Sequence, residues 1–181
     1  MISFDDLPDG TVVTDQYQGL GVTFTGAAIL RPGTIWGSGI TLNEFEFPPH
    51  SGLNVLGDQV GPIVGQFLTP VTEVGGFFTY LASVTLTAFD DMGNMVGSVT
   101  SAFSENFVSS GNLPNELLQL SYAGGISRFE IAGDPAGVSL TLDDLTFRSG
   151  AAAVPGTTGL SPLLALLLPF VLKRFLDKAK R

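Results

Sequence analysis

From Ile2 to Arg148 the chain is cut into short runs in which apolar and polar residues alternate, and most runs end at a turn former. The alternation is plain in residues 21–25 (GVTFT), 83–87 (SVTLT), 126–131 (ISRFEI) and 138–142 (VSLTL). A period of two puts every second side chain on one face, as in a strand with one side buried. Met92-Gly93-Asn94 lies between two such runs and reads as a hairpin turn. Gly33, Gly75-Gly76, Gly124-Gly125 and Asp134-Pro135 read as further punctuation. Residues 115–120 alone in this region have helical spacing, and their context argues for a strand. About ten to twelve short strands with turns between them predict an all-β chain. The expected architecture is an antiparallel β-sandwich of jelly-roll type, galactose-binding-like, over residues 1–148. Residues 31–62, rich in Gly and Pro, form the expected long loop.

Charge narrows the function. Sixteen of the 17 acids fall in residues 1–150, against Arg31, Arg128 and Arg148 and no lysine. Such a body is repelled by phosphate backbones, which excludes ordinary nucleic-acid binding and suits an exported domain or a cation binder. The absence of Cys excludes disulfides, thiolate nucleophiles and Cys-ligated metals.

The composition changes after the last alternating run. Residues 149–172 carry no charge, and 160–172 (LSPLLALLLPFVL) are densely apolar. A helix over 154–172 is ~28 Å long at ~1.5 Å per residue, close to a bilayer core of ~30 Å. Pro162 and Pro169 are tolerable in such a helix in lipid. Residues 149–159 therefore read as a flexible linker, and 160–181 as an apolar helix with a basic tail, KRFLDKAKR. The positive-inside rule puts that tail in the cytoplasm and the acidic body outside. The first ten residues, MISFDDLPDG, lack the basic and apolar regions of a signal peptide and begin like a strand.

Three acidic pairs echo one another: FDDL at 4–7, FDDM at 89–92 and LDDL at 142–145. Around the first and last pairs the apolar positions switch from even to odd, and a strand changes its inward face only at a bulge or break. First and last strands are neighbours in many jelly rolls, which brings Asp5, Asp6, Asp143 and Asp144 together. Four carboxylates with no base beside them are a candidate Ca²⁺ site, since hard cations take oxygen ligands. The other reading is that these are turn and cap aspartates facing water. His50, the one histidine, lies in PPHSG, and a Ser–His–Asp site could be built on it only with partners from elsewhere. Its other reading is a loop histidine bonded to backbone. No phosphate loop and no His metal cluster is present. Trp36, in the Gly-rich run TIWGSG, is the candidate sugar-stacking aromatic.

The runs ISFDDLPDGTVVTDQYQGLGVTF, FPPHSGLNVLGD, LTAFDDMGNMVGS and LTLDDLTF, with the tail AVPGTTGLSPLLALLLPFVLKR, resemble exported bacterial proteins that bear PEP-CTERM sorting tails. The likeness covers nearly the whole chain. Val154 and Pro155 match the start of the sorting signal, while Gly156 stands where the family has Glu. The resemblance implies a Gram-negative source, an exported protein at the inner membrane or cell surface, a sorting transpeptidase (exosortase) as partner, and an association with extracellular polysaccharide. The expected function is a non-enzymatic envelope or extracellular-matrix protein, tethered or sorted through its C-terminal segment. A lectin-like carbohydrate-binding module is the alternative, and a hydrolase built on His50 is a third reading.

Overall fold

The computed structural model describes residues 1–33 and 42–150. Among these, nine strands pair antiparallel: β1 (Val12–Val13), β2 (Val22–Thr25), β3 (Ala27–Leu30), β4 (Val55–Asp58), β5 (Ile63–Tyr80), β6 (Thr85–Phe89), β7 (Met95–Thr100), β8 (Glu116–Ala132) and β9 (Leu140–Ser149). The hydrogen-bonded order is β1-β3-β4-β9-β5-β8-β6-β7, with β2 also on β5.

Two long strands organise this order. The first part of β5 pairs with β2 and with the end of β8, for example Gly65 opposite Phe24 and Phe129. Its second part pairs with β9 and with the start of β8, where Phe78 lies opposite Leu142 and Glu116. Register shifts between Gln66 and Val71, and between Val71 and Glu73, separate the two parts. A bulge bends a strand, so β5 and β8 pass from one half of the sheet to the other. One half is β2-β5-β8-β6-β7, and the other runs from β1 through β9 to β5 and β8. Both halves bury alternate residues in one core. Phe24, Ile63, Leu86 and Phe129 come from the first, and Ile29, Leu56, Val74, Phe78 and Leu142 from the second. The result is the expected all-β antiparallel sandwich.

Long strands explain three departures from the sequence reading. Nine strands replace ten to twelve because β5 and β8 each do the pairing of two. Gly75-Gly76 and Gly124-Gly125 lie inside strands rather than at turns. A Cβ at Gly76 would meet Leu142, and one at Gly65 would overlap the Phe129 ring, so these positions admit close neighbours rather than chain reversal. Within 31–62, residues 55–58 form β4 against β3 and β9.

The N-terminal segment closes the sandwich. Ile2 and Leu145 exchange backbone hydrogen bonds of 2.8 and 3.0 Å. Phe4, fully buried, then packs edge-on against Tyr17 and Phe24, with centroids 5.6 and 6.3 Å apart. Phe4 (φ +64°) and Asp144 (φ +47°) both adopt left-handed backbone. The irregularities expected beside the two acidic pairs are therefore present, and on β9 the pairing with β5 also shifts between Gly75 and Phe77.

Residues Met1–Gly150 form one compact unit. The expected linker begins one residue early, since Ser149 ends β9 opposite Val71, and its residues 151–159 and the apolar helix of 160–172 lie outside the described residues. Since the core is completed by β9, a chain ending at Gly150 is expected to unfold in one cooperative urea transition. Phe129→Ala, which opens a cavity between Gly65 and Phe24, is expected to lower its stability by ~3–5 kcal/mol. A broad transition, or a loss below ~1 kcal/mol, would contradict a core centred on this ring.

Candidate functional site

The first and last acidic pairs do meet at one loop. Asp5 accepts the N–H groups of Leu53 and Asn54 at 2.8 and 2.9 Å. Asp143 accepts Ser51 N–H at 2.8 Å and Asp144 N–H at 2.7 Å. Asp144 takes His50 Nδ1 on one oxygen, at 2.7 Å, and the Ser51 hydroxyl on the other, at 2.9 Å. The His50 ring lies flat on Phe77, 3.5 Å between centroids and 7° from parallel. Asn54, buried, donates to the carbonyls of Phe4 and Leu7 and ties the same loop to the N-terminal segment. At Gly52 (φ +58°) a Cβ would overlap the Asp5 carboxylate, so only glycine passes there. Asp6 turns away and accepts the Tyr17 hydroxyl at 2.7 Å.

Protein donors thus meet the four aspartates, which clamp residues 50–54 and Tyr17. Among the described residues no group of three or more His, Cys, Asp or Glu side chains is placed to hold a metal. His50 bonds a carboxylate rather than backbone, but the arrangement is not a nucleophilic relay. A relay needs the hydroxyl on one ring nitrogen and the carboxylate on the other. Here hydroxyl and ring share Asp144, and Ser51 has its proton directed at that carboxylate. Trp36 and the sorting residues Val154, Pro155 and Gly156 lie outside the described residues.

Burial sets the electrostatics of the clamp. Asp143 is 1% exposed, and burial pushes its carboxyl up to about 6. The N–H groups of Ser51, Asp144 and His50 oppose that rise, and the Asp144 charge adds to it. At Asp5 burial also raises the carboxyl. The N–H groups of Leu53 and Asn54, with Ser3 and Arg31, outweigh it and hold Asp5 below the usual range.

A second constellation lies on the outward face of the β2-β5-β8-β6-β7 half. Pairing sets Thr23, Gln66, Arg128, Phe89 and Met95 in one row across the strands. The next row is Thr25, Val64, Glu130, Thr87 and Ser98. Arg128 lies over the Phe89 ring with Cζ 3.8 Å from its centroid, and pairs with Glu130. Where β5 shifts register, beside the β6–β7 turn, a cleft of about 430 Å³ opens. Gln66, Leu68, Pro70, Asp91, Ser127 and Arg128 are among its lining residues. Gln66 Nε2 donates to Ser127 O at 2.9 Å. Ser127 is 7% exposed, and its hydroxyl is a buried polar atom with no partner among the described residues. That Oγ is itself closed to solvent, so it marks a packing defect at the register shift rather than a contact open to the cleft. Leu68, 56% exposed, and Pro70 supply an apolar rim.

A smaller cavity, about 210 Å³, is lined by apolar residues including Leu30, Leu42, Phe47 and Leu140, with Asp58. Asp58 is occupied by Ser139 and Leu140 N–H groups, at 2.8 and 3.0 Å. Neither cavity is lined by His50. The hairpin turn expected at Met92-Gly93-Asn94 lies between β6 and β7, but the sequence gives no role to Gln66, Ser127 or Arg128. Their cross-strand alignment depends on a register that no local pattern encodes.

No protein-family model and no curated protein matches the chain. Solved structures that overlap it include TmCBM61 in complex with β-1,4-galactotriose, at 10% identity over 79% of this chain and 99% of that one, TM-score 0.43. A DUF4465 family protein from Bacteroides caccae overlaps at 14% identity over 78% and 91%, TM-score 0.42. A mutant family 29 carbohydrate-binding module complexed with cellulohexaose overlaps at 9% identity over 72% and 94%, TM-score 0.36. Overlaps this loose carry no argument, and the fold and site above rest on strand pairing and named residues.

The clamp makes a pH prediction. Asp143 has a folded value near 6, above its ordinary 3.8. Its contribution to stability is therefore fully present below pH ~4 and is lost as pH rises through ~6. Asp143→Asn cannot titrate there. The stability of the native chain minus that of the variant, from urea midpoints, is expected to fall between pH 4 and 7. A difference that is flat or rises over that window would contradict the burial argument.

Proposed function

We propose that this chain is a non-catalytic carbohydrate-binding module carried outside the cell, with the cleft of Gln66, Ser127, Arg128 and Asp91 as its sugar site. The supporting observation is a cleft that sets the Arg128 guanidinium, the Gln66 amide and the Asp91 carboxylate beside an apolar rim. A sugar presents hydroxyls that both donate and accept, and C–H patches that are apolar. Arg128 supplies N–H donors, Asp91 supplies acceptors, and Leu68 with Pro70 suits the C–H patch. The outward hydroxyls of Thr85, Thr87, Ser98 and Thr100, paired across strands at 3.0 and 3.4 Å, extend a polar surface beyond the cleft. The shared use of Asp144 by the Ser51 hydroxyl and the His50 ring supports a binding rather than a hydrolytic role.

The display of the module is read from the sequence. The apolar run 160–172 and the following basic cluster support a membrane tether with the acidic body outside. Val154 and Pro155 support processing by an exosortase, and an extracellular polysaccharide is the fitting partner.

The test is titration of the full chain, in mild detergent, against gluco-, manno- and galacto-oligosaccharides. Binding of at least one is expected. Arg128→Ala and Asp91→Ala are each expected to weaken it about tenfold, the loss of ~1.5 kcal/mol from one charge-assisted hydrogen bond. Binding untouched by both substitutions would place the site elsewhere. No binding, with glycans bearing amines or carboxylates included, would overturn the carbohydrate reading.

A further inference from the structure

The loop between β8 and β9 holds the chain's one Asp–Pro bond, Asp134–Pro135, and residues 134–136 are exposed. Three features meet at that bond. Asp134 Oδ1 accepts Ala136 N–H at 2.8 Å, and the ring closed by this hydrogen bond contains the bond to Pro135. The other carboxylate oxygen makes no hydrogen bond among the described residues. The Asp134 carbonyl oxygen accepts Gly137 N–H at 2.9 Å. A donor at that distance stabilises the charge that develops on the oxygen when its carbon is attacked. The nitrogen of Pro135 is a tertiary amide with no N–H, and it leaves as a secondary amine once it takes a proton.

The loop is also strained. Gly137 has φ +80° and Val138 φ +55°. Glycine suits left-handed backbone, whereas a β-branched residue there is an outlier. Val138 is half exposed, so its side chain gains little from the position. Main-chain packing on both sides imposes it. Ser139 is fixed to Asp58 through its N–H and its hydroxyl, at 2.8 and 3.1 Å. The Gly137 backbone lies so close to Gln59 that a Cβ would stand 1.7 Å from its carbonyl oxygen. Outliers of this kind persist only where the surroundings force them, and they cluster at sites of function.

We propose that the chain cleaves itself at Asp134–Pro135, with the Asp134 carboxylate as the nucleophile. A carboxylate oxygen attacks the carbonyl carbon of the same residue, a five-membered cyclic anhydride forms, and the C–N bond to Pro135 breaks. A proton from solvent goes to the Pro135 nitrogen. Water then opens the anhydride and leaves Asp134 as a free C-terminus. Reversal before that step requires Val138 to be forced back into left-handed backbone, so relaxation of the freed residues 135–138 favours completion. The products are residues 1–134 and 135–181. β9 is paired with β4 on one side and β5 on the other, and Leu145 with Ile2, so the two pieces stay together while the fold persists. The cut leaves everything after Asp134 joined to the body by strand pairing and packing instead of by the chain.

The experiment is incubation of the full chain in mild detergent at pH 5 with protease inhibitors, followed by mass spectrometry, a denaturing gel and native size-exclusion chromatography. Two fragments that meet between Asp134 and Pro135 are expected on the gel, and one species on the native column. The chain unfolded in urea, which lacks the Gly137 donor, is expected to be cut about tenfold more slowly. Pro135→Ala, which keeps the carboxylate, should abolish the cut, and so should Asp134→Ala, with urea midpoints showing that both variants fold. Val138→Gly should slow it. A chain that stays intact, or a cut that survives either substitution at the bond, overturns the proposal. Equal rates in the folded and unfolded chain overturn it as well, because acid alone would then break the bond. A rate unchanged by Val138→Gly overturns the part given to strain.

Discussion

The double pairing of β5 with β8 is the constraint on which the rest of the molecule depends. Eighteen residues of β5 meet seventeen of β8 in two registers, with the slip between Gln66 and Glu73. One continuous pair of strands thereby forms part of both halves of the sandwich. The slip has a second consequence, because a bulge breaks the ladder and re-aims side chains. Ser127 and Gln66 lie beside it, and the cleft opens there. The bend that closes the core and the place that can take a ligand have the same origin.

A chain with so few bases must bury acids without ion pairs. Asp58, Asp143 and Asp144 are all buried, and among the described residues none lies against Lys or Arg. Each is met instead by hydrogen-bond donors: Ser139 and Leu140 at Asp58, Ser51 and its own neighbour at Asp143, and His50 with Ser51 at Asp144. N–H groups neutralise less than a cation does, so burial still raises the carboxyls of Asp58 and Asp143. Asp5, Asp143 and Asp144, three of the four aspartates considered for calcium, also have a structural use. They fix one loop and the N-terminal segment against β9, and Asp6 is held by Tyr17.

The sandwich was legible because alternation is local. The runs at 21–25, 83–87, 126–131 and 138–142 all lie in or overlap strands β2, β6, β8 and β9. The switch of apolar positions around Asp5-Asp6 and Asp143-Asp144 gave both irregularities and the pairing of first and last segments, since only a bulge reconciles the two faces. What stayed hidden was non-local. Gly75-Gly76 and Gly124-Gly125 look like turns until their neighbours are known, and His50 had no visible partner 94 residues away. Ser127 sits in the alternating run ISRFEI, where a buried serine facing a slip in another strand leaves no trace.

The acidic echo FDDL, FDDM and LDDL joins the two kinds of legibility. Two adjacent carboxylates cannot both bond the same few N–H groups, because their side chains diverge along the backbone. The first takes backbone N–H groups, and the second is left to find a side-chain partner. Where the fold packs another segment against it, as Tyr17 does for Asp6 and His50 for Asp144, the pair becomes a clamp. Asp90 and Asp91 stand at a hairpin turn, with Asp91 and Met92 exposed. The same local grammar there yields a capped turn and one carboxylate facing solvent. Packing, not sequence, turns one acidic motif into a fastener in two places and an open carboxylate in the third.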